Sequence, residues 1–289
     1  MDRLIGAVPA RLDWLRSSED GRAWLDALPQ AVEECAAHWR LDLEQPFPYA
    51  FTSLAIPGRL QDGADVVLKV RFVDRETEHE PLALRLWDGD GAIRLLDEYP
   101  RRGALLLERC VPGTAVPPGI GLSIIQGLLP RLWKPAATPP FRSLSEEAAH
   151  WASTMRGRWQ EHGRPFSQRL LEAALDAIAN LAPTQGEQVL QHQDLHAWNV
   201  LAAQREPWLV IDPKPLVGER EFGLAPIVRS QELGRGRRET LRRLDQLTSE
   251  LGLDRDRARL WCIAQTVAWS TGEGYLPEHV AVAEWLLDS

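Results

Sequence analysis

The 289-residue sequence has few cysteines, no long apolar run and no excess of positive charge. Its three cysteines stand far apart, which argues against a disulfide framework and indicates a reducing compartment. No stretch approaches the roughly 18 apolar residues of a membrane span, and the first residues do not resemble a signal peptide. A net charge of −8 disfavours nucleic acid and is compatible with a cationic small substrate. We therefore expect a cytoplasmic protein, a monomer, with no nucleic-acid or membrane partner.

The first part of the chain has helical and then strand-like patterns. Residues 1–46 have a helical spacing of apolar residues, and Pro29 is expected to break this helix in two. From about residue 48 to 107, short and partly alternating apolar segments predict four strands, and a charged segment between the second and third predicts one helix. The strand segments are FTSLAIPGRL, DVVLKVRFV, AIRLLDEY and ALLLERC, and the helix lies in DRETEHEPLALRLWDGDG.

A Pro/Gly-rich stretch, VPGTAVPPG, is the best candidate for a domain boundary. We assign residues 1–110 to N-terminal helices plus a β-sheet nucleotide-binding lobe, residues 111–118 to a hinge, and residues 119–289 to a helical catalytic and substrate-binding lobe. In that last part, Ser143 and Glu146 predict a capping box. The fold class is α+β: a small, mostly antiparallel sheet with one helix, followed by a larger helical lobe.

One polar stretch, VLQHQDLHAWNVL at residues 189–201, lies between two strand-like segments. Its His192, Asp194, His196 and Asn199 could hold a metal, form a catalytic loop, or be a polar turn without function. Alternating His, Asp and His would share one face of a strand, as in metal hydrolases. The five other histidines are scattered and provide no second cluster. The metal-hydrolase interpretation predicts zinc or iron in the purified protein.

Phosphoryl transfer explains more of this stretch. The spacing D-x-x-x-x-N of Asp194 and Asn199 matches a kinase catalytic loop, in which the Asp is the base and the Asn binds magnesium. A second magnesium-binding Asp should end a strand soon afterwards, and Asp212 ends WLVID. A hairpin between Asn199 and Asp212 would bring these oxygen ligands together, and hard oxygen ligands are those that magnesium prefers.

Kinases also need a lysine on the sheet and a glutamate from a helix. Lys69 in VVLKV is the candidate lysine, and Glu80 is preferred over Glu76 and Glu78 as its partner. Where ALLLERC meets the connector, backbone groups of Glu108 and Cys110 could contact an adenine edge. The ordered set of Lys, Glu, hinge, Asp, Asn and Asp therefore predicts a kinase.

The sequence resembles the aminoglycoside phosphotransferase family, and more narrowly the streptomycin 6-phosphotransferases and aminoglycoside/hydroxyurea resistance kinases. The stretches that carry the resemblance are GRAWLDALP, VVLKV, LRLWDGDGAIRLLD, ALLLER, HQDLHAWNVLAAQREPWLVIDPKPLVGE and FGLAP. The resemblance implies a protein-kinase-like fold, Mg2+, and transfer of the γ-phosphate of ATP, or of GTP, to an aminocyclitol antibiotic. It implies 6-O-phosphorylation of streptomycin and antibiotic resistance. By motif match, the resemblance implies that Lys69 and Glu80 orient the phosphates. It also implies that Asp194 is the base and that Asn199 and Asp212 bind the metal.

Three features depart from the wider family. Position 193, often glycine there, is Gln193. A Gly-rich phosphate loop is missing, so hydroxyl and backbone donors of Thr52 and Ser53 are expected to replace it. The segment after the metal-binding Asp adds Lys214, which either contacts a phosphate or lies at the surface; we favour the surface.

The substrate contacts are predicted from charge. Because streptomycin is cationic, acidic and aromatic groups in the helical lobe should bind it. The candidates are Glu219, Glu221, Trp269 and Glu273, with Tyr275 nearby. Two alternatives stay open: a kinase of another hydroxylated small molecule or antibiotic, and a degenerate kinase-like nucleotide-binding protein.

Overall fold

A computed structural model of the chain describes residues 9–49, 51–271 and 276–289. These divide into two compact units, the first containing the described residues up to Gly113 together with Ala203–Leu209, and the second Thr114–Ala202 together with the described residues from Val210 onward. The division between them at Gly113 falls inside the predicted hinge. Residues 203–209, which the sequence groups with the helical lobe, cluster with the first unit instead. In the described ranges, no helix is both long and apolar enough to cross a membrane.

A five-stranded antiparallel sheet forms the centre of the first unit. The strands lie in the order β1, β2, β3, β5, β4, and the four predicted strand segments are confirmed as β2 to β5. The first strand is an exception, because it lies within the stretch predicted to be helical. The strand bounds are β1 Asp42–Leu43, β2 Ser53–Arg59, β3 Asp65–Arg71, β4 Leu95–Tyr99 and β5 Ala104–Glu108.

Helix α1, Glu19–Trp39, covers one face of this sheet and follows a 3-10 helix at Ala10–Ser17. It is continuous, so the predicted break at Pro29 is wrong. An apolar stripe explains why the helix persists, because its burial outweighs the hydrogen bond that the proline cannot make. The stripe packs against buried residues of β2, β3 and β5, and its members are Leu25, Leu28, Ala31, Val32 and Cys35.

Replacing the exposed Pro29 by alanine should stabilise the protein. The substitution restores a helical N–H, and an interior proline costs about 3 kcal/mol relative to alanine. The more flexible unfolded chain offsets about 0.4–1 kcal/mol of that gain. We expect Pro29→Ala to raise the unfolding free energy in urea by about 2–2.6 kcal/mol. The exposed Asp26→Ala on the same helix is the control, and an equal gain there would refute the explanation.

Strand alternation places charged groups on the sheet face away from α1. Leu68 and Val70 of β3 belong to the core under α1, so Lys69 and Arg71 point to the opposite face. Helix α2, Glu80–Trp87, begins directly with Glu80 and has Pro81 in its first turn. Proline is favoured there because its missing N–H is not needed.

The second unit is mainly helical. This agrees with the larger helical lobe of the predicted fold class, and the capping box of Ser143 and Glu146 is confirmed. The helix bounds are α3 Pro118–Leu132, α4 Leu144–Glu161, α5 Gln168–Leu181, α6 Ala225–Arg229, α7 Arg237–Leu251, α8 Arg255–Ser270 and α9 Pro277–Leu287. Helix α8 is buried over most of its length from Trp261 to Ser270 and packs against α5, α6, α7 and α9.

Two strands hold the polar loop in this unit. Strand β6, Gln188–Gln191, pairs antiparallel with β9, Leu216–Glu219, and the loop follows β6 directly. Strand β9 is not among the strands predicted from the sequence. Strands β7, Val200–Ala202, and β8, Trp208–Val210, stand between the loop and Asp212.

Candidate active site

A buried ion pair occupies the first unit beside β3. The Lys69 ammonium lies 2.6 Å from the Glu80 carboxylate, and Arg71 lies 3.8 Å from the other Glu80 oxygen. Glu80 is fully buried, and both cations are 6% exposed. Among the three glutamates considered, the structure thus brings Glu80 to Lys69. Because Glu80 starts α2, the position of that helix determines where the ammonium is held.

Glu108 at the end of β5 has a structural use that the sequence did not reveal. Its carboxylate accepts hydrogen bonds from Arg205 at 2.8 and 3.0 Å and from the Arg94 amide at 2.9 Å. Its backbone N–H donates to the Arg94 carbonyl at 3.0 Å. A contact from Glu108 to adenine would therefore use its carbonyl. Arg205 also donates to the carbonyls of Gly89 and Ala92, which fastens the 203–209 segment to the first unit.

The other residues predicted to bind the nucleotide are Thr52, Ser53 and Cys110. Thr52 and Ser53 lie at the start of β2 and are partly exposed, with Ser53 opposite Arg71. Their phosphate-binding role stays a prediction. Burial raises the pKa of the Cys110 thiol to about 12, so this residue is a poor nucleophile or redox group at neutral pH.

The polar loop is held by its own histidine. His192 pairs through Nε2 with the Ile211 carbonyl at 2.9 Å and accepts the Asp194 amide at Nδ1, 3.3 Å away. Burial lowers the pKa of His192 to about 4, so the ring is neutral. Both ring nitrogens serve these contacts, so His192 braces the loop and has no nitrogen left to ligate a metal.

Gln193, the residue after His192, has a backbone conformation that usually requires glycine. Gln193 has a φ of 62°, in the left-handed region that side chains disfavour. Glutamine is held there because the buried Gln265 side chain donates to the Gln193 carbonyl at 3.1 Å. The sharp turn at position 193 sets the direction of Asp194.

The Asp194 carboxylate faces two cationic or polarisable groups. Lys214 lies 3.6 Å from one of its oxygens, and His196 lies 4.0 Å from the other. The predicted surface position of Lys214 is wrong, because its side chain is 17% exposed and lies against Asp194. The Lys214 amide donates to the His192 carbonyl at 3.0 Å, which draws the residue into the loop.

Asn199 and Asp212 lie on backbone segments that are hydrogen-bonded to each other. The Asn199 amide side chain donates to the Asp194 carbonyl at 2.8 Å, and the Ile211 N–H donates to the Asn199 carbonyl at 2.9 Å. Asp212 adopts a φ of 57° immediately afterwards. Because the Asn199 nitrogen is anchored to the loop, its side-chain oxygen is the atom suited to a cation.

Two of the predicted substrate residues have other uses. Glu219 is fully buried and accepts hydrogen bonds from Arg257, at 2.6 Å, from the Gly186 amide and from the Trp261 indole. Glu221 accepts the Asp254 amide at 3.4 Å. These contacts tie Glu219 to Arg257 and Trp261 of α8, and Glu221 to the residue directly before that helix. A role of either glutamate in binding the substrate stays a prediction.

One variant distinguishes a structural role of Glu219 from a role in substrate binding. Glu219→Gln should lower the unfolding free energy by about 2–3 kcal/mol, because hydrogen bonds to a buried charge are strong. The acceptor KM of the folded enzyme should not change. Urea titration and steady-state kinetics check both statements, with the exposed Glu187→Gln as control. A raised acceptor KM with unchanged stability would instead support the predicted role of Glu219 in substrate binding.

Trp269, near the end of α8, has cations on its ring. The Lys214 ammonium lies 4.8 Å and the Arg229 guanidinium 4.9 Å from the ring centroid. Arg229 also donates to Gln265 at 3.3 Å. Sequence reasoning missed Arg229 and Gln265, which have no motif and reach the loop only through the packing of α6 and α8. The candidate Glu273, and Tyr275 beside it, lie outside the described residues.

The fold is that of the protein-kinase-like phosphotransferases. The chain superimposes with a TM-score of 0.62 on a thermostable mutant of aminoglycoside phosphotransferase APH(4)-Ia in ternary complex with ADP and hygromycin B. The alignment covers 89% of this chain and 96% of that one at 13% identity. At this identity the likeness shows the fold alone, and it confirms the predicted fold class.

The chain belongs to the aminoglycoside/hydroxyurea antibiotic resistance kinase family, whose sequence profile matches residues 38–273. It is 39% identical to the hydroxyurea phosphotransferase of Kitasatospora aureofaciens, over 99% of this chain and 88% of that protein. It is 37% identical to the streptomycin 6-kinase of Streptomyces griseus, over 93% of this chain and 92% of that protein. The predicted family and enzyme class, a phosphotransferase acting on a hydroxyl, are confirmed.

Proposed function

We propose that the protein transfers the γ-phosphate of ATP to a hydroxyl of an aminocyclitol antibiotic, with streptomycin and its 6-hydroxyl as first choice, and thereby confers resistance. The observation that carries the proposal is the surroundings of Asp194: a carboxylate held by a turn at Gln193, beside Lys214 and joined to Asn199. GTP is the alternative donor. We further propose a cytoplasmic monomer without nucleic-acid or membrane partners.

The residues of the site each have one task in this reaction: accepting a proton, binding the donor phosphates or supporting the base. Asp194 accepts the proton of the acceptor hydroxyl as its oxygen bonds to the γ-phosphorus and the bond to the bridging oxygen of the nucleoside diphosphate breaks. Lys69, oriented by Glu80, binds phosphate oxygens of the donor. Lys214 places a positive charge 3.6 Å from the Asp194 carboxylate.

The residues of the polar loop fit Mg2+. Asn199 and Asp212 offer an amide oxygen and a carboxylate, the hard ligands that this ion takes, and Asn199 is only 7% exposed with its nitrogen already anchored. When bound, Mg2+ would neutralise charge on the transferred phosphates. We assign its binding to these two residues.

Hydroxyurea is a second candidate acceptor. The 39% identity to a hydroxyurea phosphotransferase is close to the 37% and 36% identities to two streptomycin 6-kinases. The overall likeness therefore favours neither acceptor. A kinase of another hydroxylated small molecule is the remaining alternative.

The test is a direct one. Purified protein with Mg2+ and ATP, or GTP, is assayed for nucleoside diphosphate release with streptomycin, hydroxyurea and a panel of other aminoglycosides, and each product is identified by mass spectrometry. We expect turnover and a phosphorylated product with streptomycin. Diphosphate release that no acceptor stimulates would contradict the proposal and favour the degenerate binding protein.

A further inference from the structure

The surroundings of Trp269 contain more hydrogen-bond donors than the described residues satisfy. Arg229 is 6% exposed, yet in the described part of the chain its guanidinium makes a single hydrogen bond, to Gln265 at 3.3 Å. A guanidinium carries five N–H groups. The indole Nε1 of Trp269 is also buried, and none of the described residues accepts its hydrogen. A buried donor such as this indole N–H normally has a partner.

These donors lie beside the proposed base. Lys214 contacts both the Asp194 carboxylate, at 3.6 Å, and the face of Trp269. Gln265 bonds to Arg229 on one side and to the carbonyl of Gln193, the residue before Asp194, on the other. A molecule whose hydroxyl reaches Asp194 would therefore extend into the neighbourhood of Arg229 and Trp269.

The chemistry of these groups selects the ligand. Arg229 and the Trp269 indole only donate hydrogen bonds, so they require acceptor oxygens. A substrate guanidinium on the Trp269 ring would meet two like charges, Lys214 and Arg229, both within 5 Å of that ring. Burial lowers the pKa of Arg229, as expected for a charge that lacks full compensation inside the protein. The predicted stacking of a cationic group on Trp269 is therefore unfavourable.

We propose that Arg229 and Trp269 form an oxygen-binding subsite, which receives a hydroxyl or carbonyl oxygen of the acceptor adjacent to the hydroxyl that is phosphorylated. The inference rests on the proposed function and determines what kind of acceptor the enzyme takes. Streptomycin has neighbouring ring hydroxyls and hydroxyurea has a carbonyl, so both carry such an oxygen. The subsite recognises the oxygen-rich part of the acceptor, and cationic parts bind elsewhere.

The test removes the indole N–H of Trp269 and keeps an aromatic ring at that position. Trp269→Phe preserves an aromatic face for Lys214 and Arg229 but removes the indole N–H. We expect the acceptor KM, measured with streptomycin and with hydroxyurea, to rise about five- to tenfold, since one hydrogen bond is worth about 1–1.4 kcal/mol and 1.4 kcal/mol corresponds to tenfold. The kcat and the KM for ATP should stay within twofold of wild type.

Trp133 offers a matched control. Arg220 lies 5.2 Å from its ring centroid, and its Nε1 is likewise buried without an acceptor among the described residues. Trp133→Phe makes the same chemical change away from Asp194 and should leave every kinetic constant unchanged. Arg229→Lys keeps the charge and removes the planar fork, and should raise the acceptor KM at least as much as Trp269→Phe. If Arg229→Lys does not fold, Trp269→Phe alone decides.

Three results would overturn the inference. A wild-type acceptor KM in Trp269→Phe would show that the indole meets no acceptor oxygen. A reduced kcat with unchanged acceptor KM would assign the donors to the transferred phosphoryl group. Wild-type protein that phosphorylates neither acceptor would overturn the proposed function and this inference with it, whereas in the first two results the wild-type enzyme is active and only the inference fails.

Discussion

Asp194→Asn should reduce kcat by about 10²–10⁴-fold, the usual contribution of a general base. Asparagine is nearly isosteric but cannot accept the proton of the acceptor hydroxyl. The backbone of the turn should survive, because it depends on the carbonyl of residue 194 and the ring of His192 rather than on the carboxylate. The KM for ATP should therefore change little, and single-turnover assays should place the loss in the transfer step.

The control for this variant is Asp176→Asn, an exposed residue of α5. It makes the same change of charge in the same unit and should have wild-type kinetics. Wild-type turnover by Asp194→Asn would refute the assignment of the base. Loss of nucleotide binding together with turnover would show that Asp194 acts mainly on the donor.

Glu80→Gln should lower the unfolding free energy by about 3–5 kcal/mol, because it removes one partner of a buried ion pair. Two nearly buried cations, Lys69 and Arg71, would lose this carboxylate. In the fraction that folds, the KM for ATP should rise, since the ammonium of Lys69 is no longer oriented. Urea titration followed by initial-rate kinetics with varied ATP measures both effects.

Glu78→Gln provides the comparison. Glu78 is exposed, lies two residues away and is paired with His79 at 3.1 Å. Surface substitutions of this kind change stability by less than about 0.5 kcal/mol. Equal effects of the two variants, on stability or on ATP, would refute the special role of Glu80.

Local patterns in the sequence predicted much of the fold and the centre of the site. The strands β2 to β5, helix α2 and the helices of the second unit followed from periodicity, which depends on neighbouring residues only. The spacing of Asp194 and Asn199 identified the polar loop for the same reason, because five residues of one turn determine it. Prediction failed where packing overrides a local preference, as at Pro29, which lies inside a helix that the sheet core stabilises.

The sequence by itself determined the residue types of a kinase, in the right order and with Asp194 and Asn199 in one short loop. Only the tertiary structure decided that Glu80 meets Lys69, that Lys214 contacts Asp194, and that Glu219 is a buried support of α8. It alone placed Arg229 against Trp269. The physical reason is that spacing along the chain constrains only contacts within a turn or a strand pair, whereas these contacts join segments far apart in sequence whose meeting depends on how helices and sheet pack.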